Sequence, residues 1–299
     1  MKRILCAVTV MAVLLCACDY SEIVDTVLEK EAQMTQPTQP EKSVAATEAT
    51  EAVVVPMTEA ATEAADVDFS SLSNTTNGWG FKRQIPQRPG FTSAETATMA
   101  KYGCMYMGSP DEKVMYLTFD EGYENGYTPL ILDTLREKNV RAAFFVTGPY
   151  LRQHADLVKR MVDEGHIVGN HTNNHQSLPS CSVEEIEEEL LSLEKQYYDM
   201  FHLNMKYMRP PMGEYSERSL AVTASLGYTS VFWSSAYADW DTNAQKGADY
   251  AYRKVTENFH NGSVILLHAV SKDNTEALGE IIDTARDEGY EFRTLDEYF

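Results

Sequence analysis

Basic residues are scarce in this chain. Its 299 residues carry 25 Lys and Arg against 45 Asp and Glu, a formal net charge of −20. Binding a phosphate backbone requires basic surface, so this balance argues against a nucleic-acid partner. Cysteine is also scarce. Of the five, Cys6, Cys16 and Cys18 lie close to the N-terminus, which leaves Cys104 and Cys181. Those two lack the paired spacing of a zinc knuckle or a redox site. They are either one disulfide in an oxidising compartment or two buried free thiols. Long apolar runs are missing as well: the stretch from Ile4 to Ala17 is too short for an ordinary membrane span.

That short stretch has another reading. Lys2 and Arg3 precede it as a small basic region, the pattern of an export signal. It ends Leu15-Cys16-Ala17-Cys18, which resembles the lipobox of bacterial lipoproteins. The resemblance implies a signal peptide over 1–17, cleavage before Cys18, and a lipid anchor on the Cys18 sulfur. Ordinary cleavage nearby, or a retained anchor, are the alternatives. The next segment, 18–75, is rich in Ala, Thr, Glu, Gln and Pro. From Asp19 to Thr75 it holds 12 acids and 2 lysines, a net of −10 and half the charge of the chain. Such a composition buries too little apolar surface to offset the entropy of ordering, so a disordered acidic tether is expected, with a short helix over Tyr20–Glu31 as its one candidate element. The tether would hold a domain over 76–299 away from the membrane.

From Lys113 onward strand-like and helix-like stretches alternate. Strands are expected over 114–117, 142–147, 167–169, 206–208, 229–233, 264–267 and 291–293. Helices are expected between them. Thr128-Pro129 reads as an N-cap followed by a first-turn proline, for a helix through Lys138 with Leu130, Ile131 and Leu135 on one face. Ala155–Glu164 is the next helix. Ser182 and Glu185 form a capping box for a long helix to about Phe201. Further helices follow Ser216 and cover about 248–259 and 274–288. This alternation predicts an α/β fold with a parallel, barrel-like sheet, in which chemistry collects where strands end.

The strand ends carry a distinctive set of groups. The first ends in Asp120-Glu121, two adjacent acids. The plain reading is a strand running out into solvent; the alternative is a catalytic carboxylate beside a metal-binding one. The third leads to His171-x-x-x-His175, a spacing that puts both imidazoles on one face of a helical turn and suits one metal ion. The fourth leads to Arg209-Pro210-Pro211-Met212-Gly213, where an arginine pointing into a carboxylate cluster would hold an aspartate ionised. The fifth leads to Asp239-Trp240, and the sixth ends Leu266-Leu267-His268. Each has a bland explanation alone. Five together at successive strand ends do not.

In this order the five groups resemble the motifs of the NodB-type polysaccharide deacetylases, carbohydrate esterase family 4, over roughly residues 78 to 299. Within that family the chain is similar to the PdaA branch, the delta-lactam-forming peptidoglycan N-acetylmuramic acid deacetylases of spore-forming bacteria. Trp79-Gly80-Phe81, Gly122–Thr128, Gln245-Lys246-Gly247 and Leu267–Asn274 carry that likeness. The resemblance implies a distorted (β/α)7 barrel and metal-dependent amide hydrolysis. It implies Asp120 as general base toward the attacking water, Arg209 as the residue that orients and charges that base, and Asp239 as the partner that keeps His268 protonated. His268 would be the general acid for the leaving amine. His171 and His175 would hold one divalent ion, with zinc the best match to two imidazoles and cobalt or manganese also compatible. Trp240, Leu266 and Pro211 would contact substrate.

One position departs from the pattern. The wider family has a second Asp after the base as third metal ligand, and the PdaA branch has Asn; this chain has Glu121. Glu121 is expected to ligate from a shifted position; the alternative is that it turns away and leaves a two-histidine site. The expected partners are peptidoglycan glycan strands and, through Cys18, the outer face of the bacterial cytoplasmic membrane. Deacetylation of N-acetylglucosamine in peptidoglycan or chitin oligomers, O-deacetylation of xylan, and a non-catalytic wall-binding lipoprotein are the competing readings.

Overall fold

The computed structural model describes residues 68–84 and 87–298. The expected signal peptide over 1–17, Cys18, the candidate helix over 20–31 and nearly all of the expected tether over 18–75 lie outside the described residues. Ser73 and Asn74 of that segment are hydrogen-bonded into the domain. Asn74 donates to the carbonyl of Pro179 at 2.7 Å and accepts from the Ser216 hydroxyl at 2.8 Å, and the backbone of Ser73 accepts from Arg218. No described helix is long and apolar enough to cross a membrane.

Short strands open the chain. β1 (Asn77–Gly78) pairs antiparallel with a distant β8 (Glu214–Tyr215), and β2 (Lys82–Gln84) pairs with β3 (Gln87–Gly90). A helix over Ser93–Lys101 follows, capped by Thr92 and Glu95. The main sheet is parallel throughout and seven-stranded. Its members are β4 (Val114–Glu121), β5 (Ala143–Val146), β6 (Ile167–Asn170), β7 (Tyr207–Met208), β9 (Thr229–Ser230), β10 (Ser263–His268) and β11 (Glu291–Phe292). The order is β10-β4-β5-β6-β7-β9, with β11 also on β4. The two ends approach each other through bridges between Met105 and Val231, Met107 and Ser263, and Ser235 and Ile265. The sheet therefore curls into the expected distorted (β/α)7 barrel.

Alternation along β4 builds two cores. Val114 and Tyr116 point inward with Phe145, Tyr207, Val231 and Val264. Met115, Leu117 and Phe119 point outward, under the helices, with Ile131, Leu135, Leu190 and Ile281. The capping box of the Val183–Phe201 helix forms as expected from Ser182 and Glu185. The helix over Thr128–Glu137 starts differently. Tyr127 is its N-cap and makes no side-chain cap bond, while Thr128 is already inside. Leu130, expected on its buried face, is exposed, and Leu132 takes that place. Cys104 and Cys181 are both free and buried, and burial pushes the Cys104 thiol up to about 12.

Candidate active site

The site sits where β4, β6, β7 and β10 end, and register explains why its parts meet. His268 is the β10 partner of Asp120 on β4. Paired residues on adjacent parallel strands project to the same side, so the two side chains stand together at the barrel mouth. Thr118, two residues earlier on β4, shares that side. Arg209 follows β7 and turns its fully buried guanidinium into the barrel. It donates to Asp120 Oδ1 at 2.7 Å, to Thr118 Oγ1 at 2.9 Å and to the carbonyl of Val231 at 3.0 Å. Its carbon lies 4.2 Å from the centre of the Phe145 ring. Arg209 is thus held on three sides and presents a fixed positive charge to one oxygen of Asp120. The other oxygen, Oδ2, faces His171 Nε2 at 3.6 Å.

Burial pushes the Asp120 carboxyl up, but the charges of Arg209, His171 and His268 outweigh it and hold the group below its ordinary value. Asp120 is therefore an anion at neutral pH, with Oδ1 committed and Oδ2 turned to the cleft.

The histidine pair lies on a loop after β6, not on the helical turn that the spacing suggested. Thr172 and His175 have φ of 64° and 58°. Several contacts hold this unusual path. Asn170 Oδ1 accepts from Thr172 N at 2.8 Å, and Thr172 Oγ1 accepts from His175 N at 3.0 Å. The buried Glu189 carboxylate accepts from Asn174 N, Asn174 Nδ2 and Gln176 Nε2 at 2.7, 2.6 and 3.2 Å. Gly148 lies so close that an added Cβ would come within 2.1 Å of Asn173 Oδ1. His171 Nδ1 donates to the carbonyl of Arg209 at 2.8 Å, which leaves Nε2 as a lone-pair donor toward the cleft. The two rings meet edge to face with centroids 4.8 Å apart. Burial lowers both imidazoles, His171 to about 4, so both are neutral at pH 7. Two neutral, oriented imidazoles beside an ionised carboxylate are a donor set that fits a divalent cation. Among the described residues no group of three His, Cys, Asp or Glu side chains is placed to hold a metal ion by itself.

Glu121 does not join them, contrary to expectation. β4 continues through Glu121, and alternation turns that side chain to the helical face, away from Asp120. There it accepts from Thr128 Oγ1 at 3.4 Å, and Tyr150 donates to the same threonine at 3.1 Å. Its Oε1 is buried without a hydrogen-bond partner. Burial, then the charges of Glu124 and Asp120, push its carboxyl well above the ordinary value. The reading of a strand end exposed to solvent fails too, since both acids are buried.

On the other side of the cleft, His268 Nδ1 donates to Asp239 Oδ1 at 2.7 Å, and His268 N donates to Asp239 Oδ2 at 2.8 Å. Burial opposes the imidazolium, but the bond and charge of Asp239, with Asp120 beyond, raise the pKa of His268. The cleft holds about 800 Å³. Trp240 and Leu266 line it, and the Trp240 ring meets His268 edge-on at 5.7 Å. Pro211 does not line it: the tight turn over Pro211–Gly213 buries Pro211 and, with Met212 at φ 57°, presents Met212 and Gly213 instead. Sequence motifs alone did not single out Tyr123, Met212 and Trp233 as lining. Trp79, noted only for its likeness to relatives, lines it as well. Tyr123, Met212 and Trp240 are exposed apolar side chains around one cleft, the feature that marks a binding surface.

Residues 107–231 match the family model described as polysaccharide deacetylase. The chain is 42% identical over 229 residues to the peptidoglycan-N-acetylmuramic acid deacetylase PdaA of Bacillus subtilis, covering 76% of this chain and 87% of that protein. It is 33% identical over 205 residues to a peptidoglycan-N-acetylglucosamine deacetylase of Bacillus cereus, covering 67% and 73%. The solved structure of B. subtilis PdaA, a family 4 carbohydrate esterase, superposes with a TM-score of 0.74 at 43% identity, over 76% of this chain and 98% of that one. With this likeness spanning the whole barrel, the chain belongs to the polysaccharide deacetylases of carbohydrate esterase family 4, hydrolases whose members are generally metal-dependent.

Proposed function

We propose that the protein removes the acetyl group from N-acetylmuramic acid in peptidoglycan, and that the freed amine then closes onto the lactyl carboxyl to give muramic delta-lactam. The observation that carries the chemistry is the pairing of an anionic Asp120 and a proton-rich His268 across one cleft, with two neutral imidazoles beside them. The likeness to PdaA supports the choice of sugar. Ring closure needs a free lactyl carboxyl, so the substrate is a strand whose stem peptide has been removed.

Asp120 Oδ2 takes a proton from the attacking water as its oxygen adds to the acetyl carbon. Arg209, bound to Oδ1, keeps the carboxylate ionised before the transfer and aims its free oxygen. A divalent cation held by His171 and His175 would lower the pKa of the water and offset charge on the carbonyl oxygen; zinc suits that donor set best. His268 delivers its proton to the nitrogen as the carbon–nitrogen bond breaks, so acetate and amine leave together. Asp239 accepts from Nδ1–H and stabilises the imidazolium, so that Nε2 carries the transferable proton. Trp240 and Leu266 wall the acetyl methyl. Export through the segment 1–17 and a lipid anchor on Cys18 set the enzyme on the outer face of the cytoplasmic membrane, facing the wall.

Acetate release from purified peptidoglycan tests the chemistry. The wild-type protein with added zinc is expected to release acetate, and the Asp120→Asn and His268→Ala proteins to lose about 10²–10⁴ of that rate. Substantial turnover by the Asp120→Asn protein would refute the assigned base. Wall binding without acetate release, across several divalent ions, would favour a binding role.

A further inference from the structure

The segments Gln245-Lys246-Gly247 and Ser271–Asn274 stand out in the sequence, yet none of their side chains is in the proposed reaction. They converge behind Asp239. Gln245 Nε2 donates to the carbonyls of Asp239 and Asp241 at 3.3 and 3.0 Å, and its Oε1 accepts from Ser271 Oγ and Asp273 N at 2.9 and 3.2 Å. Asp273 Oδ2 accepts from the backbone of Lys246 and Gly247 at 2.6 and 2.7 Å. Together these bonds fix the start of the helix over Lys272–Asp287 against the Asp239 loop.

Asn274 is the part of this assembly that reaches the acid. Its side chain is buried, and its Nδ2 donates to Asp239 Oδ2 at 2.5 Å. A carboxylate accepts only, so the amide must turn its nitrogen to Asp239. Tyr237 then donates its hydroxyl proton to Asn274 Oδ1, which fixes that orientation. Asp239 Oδ2 is thus shared between Asn274 and the backbone of His268, while Oδ1 holds the imidazole.

We propose that Asn274, oriented by Tyr237, is a positioning residue for the general acid: it holds the Asp239 carboxylate in line with His268 and moderates the proton affinity of that imidazole. The role of the amide as general-acid support rests on the function proposed above. A neutral donor on Oδ2 draws charge from the oxygen that faces the ring, so it lowers the basicity that Asp239 confers on His268. The other groups facing the pair are Asp120 from β4, Arg209 after β7 and His175 after β6, with Tyr237, Asp273 and Tyr250 behind Asp239. Among the described residues Asn274 is the one side-chain amide that donates to the Asp239 carboxylate; Gln245 reaches its backbone carbonyl instead.

The test follows the imidazole of His268 by NMR titration, in parallel with the dependence of acetate release on pH. Asn274→Leu removes the donor at similar volume, and Tyr237→Phe removes only the hydroxyl that orients the amide. With Asn274→Leu the midpoint of His268 is expected to rise by about half a unit. Its kcat should fall about tenfold with KM within twofold. Tyr237→Phe should move both quantities in the same directions by less, and it serves alone if Asn274→Leu does not fold. A residue that merely packs would lower the melting temperature and leave the midpoint in place, so an unchanged midpoint in the folded variants overturns the proposal. If the midpoint rises but even wild-type protein releases no acetate, the positioning of the imidazole is upheld and the deacetylase reading fails.

Discussion

Replacing Glu121 with glutamine separates two accounts of the metal site. Glu121 lies at 0% exposure on the helical face of β4, with Oε1 unpaired and Thr128 Oγ1 at 3.4 Å from Oε2. A carboxyl in that setting is neutral in the folded protein well above its ordinary value of 4.5. Glutamine has the same shape and is also neutral. The exchange should therefore cost no more than about 1 kcal/mol near pH 4.5, the worth of one hydrogen bond. The two proteins should then diverge as pH rises. Folded Glu121 keeps its proton to higher pH than the unfolded chain does, so its contribution is complete below the unfolded value and is lost as pH climbs toward the folded one. The slope is at most about 1.4 kcal/mol per pH unit for one group. Glutamine has no such slope, so Glu121→Gln should gain on the wild type with each step in pH, by roughly 2–4 °C in Tm per kcal/mol for a domain of this size. Calorimetry at a series of pH values reads this, and zinc titration of the same samples reads affinity, which should stay within about threefold. A loss of zinc affinity of roughly 10–100-fold or more, the cost of disturbing a metal site, would refute the placement of Glu121 behind the strand.

Three further outcomes follow from the same geometry. Asp239→Asn removes the anion that raises His268, so the alkaline limb of kcat/KM should move to lower pH; a limb that stays in place would exclude His268 as the titrating acid. Arg209→Met leaves Asp120 buried without its counter-charge, so its carboxyl should rise toward and beyond the ordinary value. The acid limb should then move up in pH, and stability should fall by about 3–5 kcal/mol, as measured by urea unfolding. Trp240→Ala opens the exposed wall of the cleft and should raise KM several-fold with little change in Tm, since that ring is 57% exposed in the free protein.

Much of this site was legible because strand ends are legible. A buried apolar run followed by Asp120, or by His268, announces a barrel mouth, and the order of the five motifs gave the family. Alternation was the signal left unused. Carrying the period of two from Leu117 and Phe119 to the next odd position puts Glu121 under the helices, as sequence periodicity alone requires. The histidine spacing misled for a physical reason: a helical turn and an irregular loop with two left-handed residues both bring residues 171 and 175 together, and only the Glu189 and Asn170 contacts distinguish them. Thr128 looked like a cap because Thr-Pro is a frequent helix start; its hydroxyl is engaged by Glu121 and Tyr150 instead. Trp79 reaches the cleft through a two-residue strand paired with a distant segment, and no local pattern encodes such a contact.

Mass spectrometry of muropeptides is the most direct test of the central claim. Peptidoglycan strands, intact and stripped of stem peptides, would be treated with the zinc-loaded protein and digested. The account predicts loss of acetyl from muramic acid, followed by loss of water in the stripped strands as the lactam closes. Loss of acetyl from glucosamine, with muramic acid untouched, would contradict it.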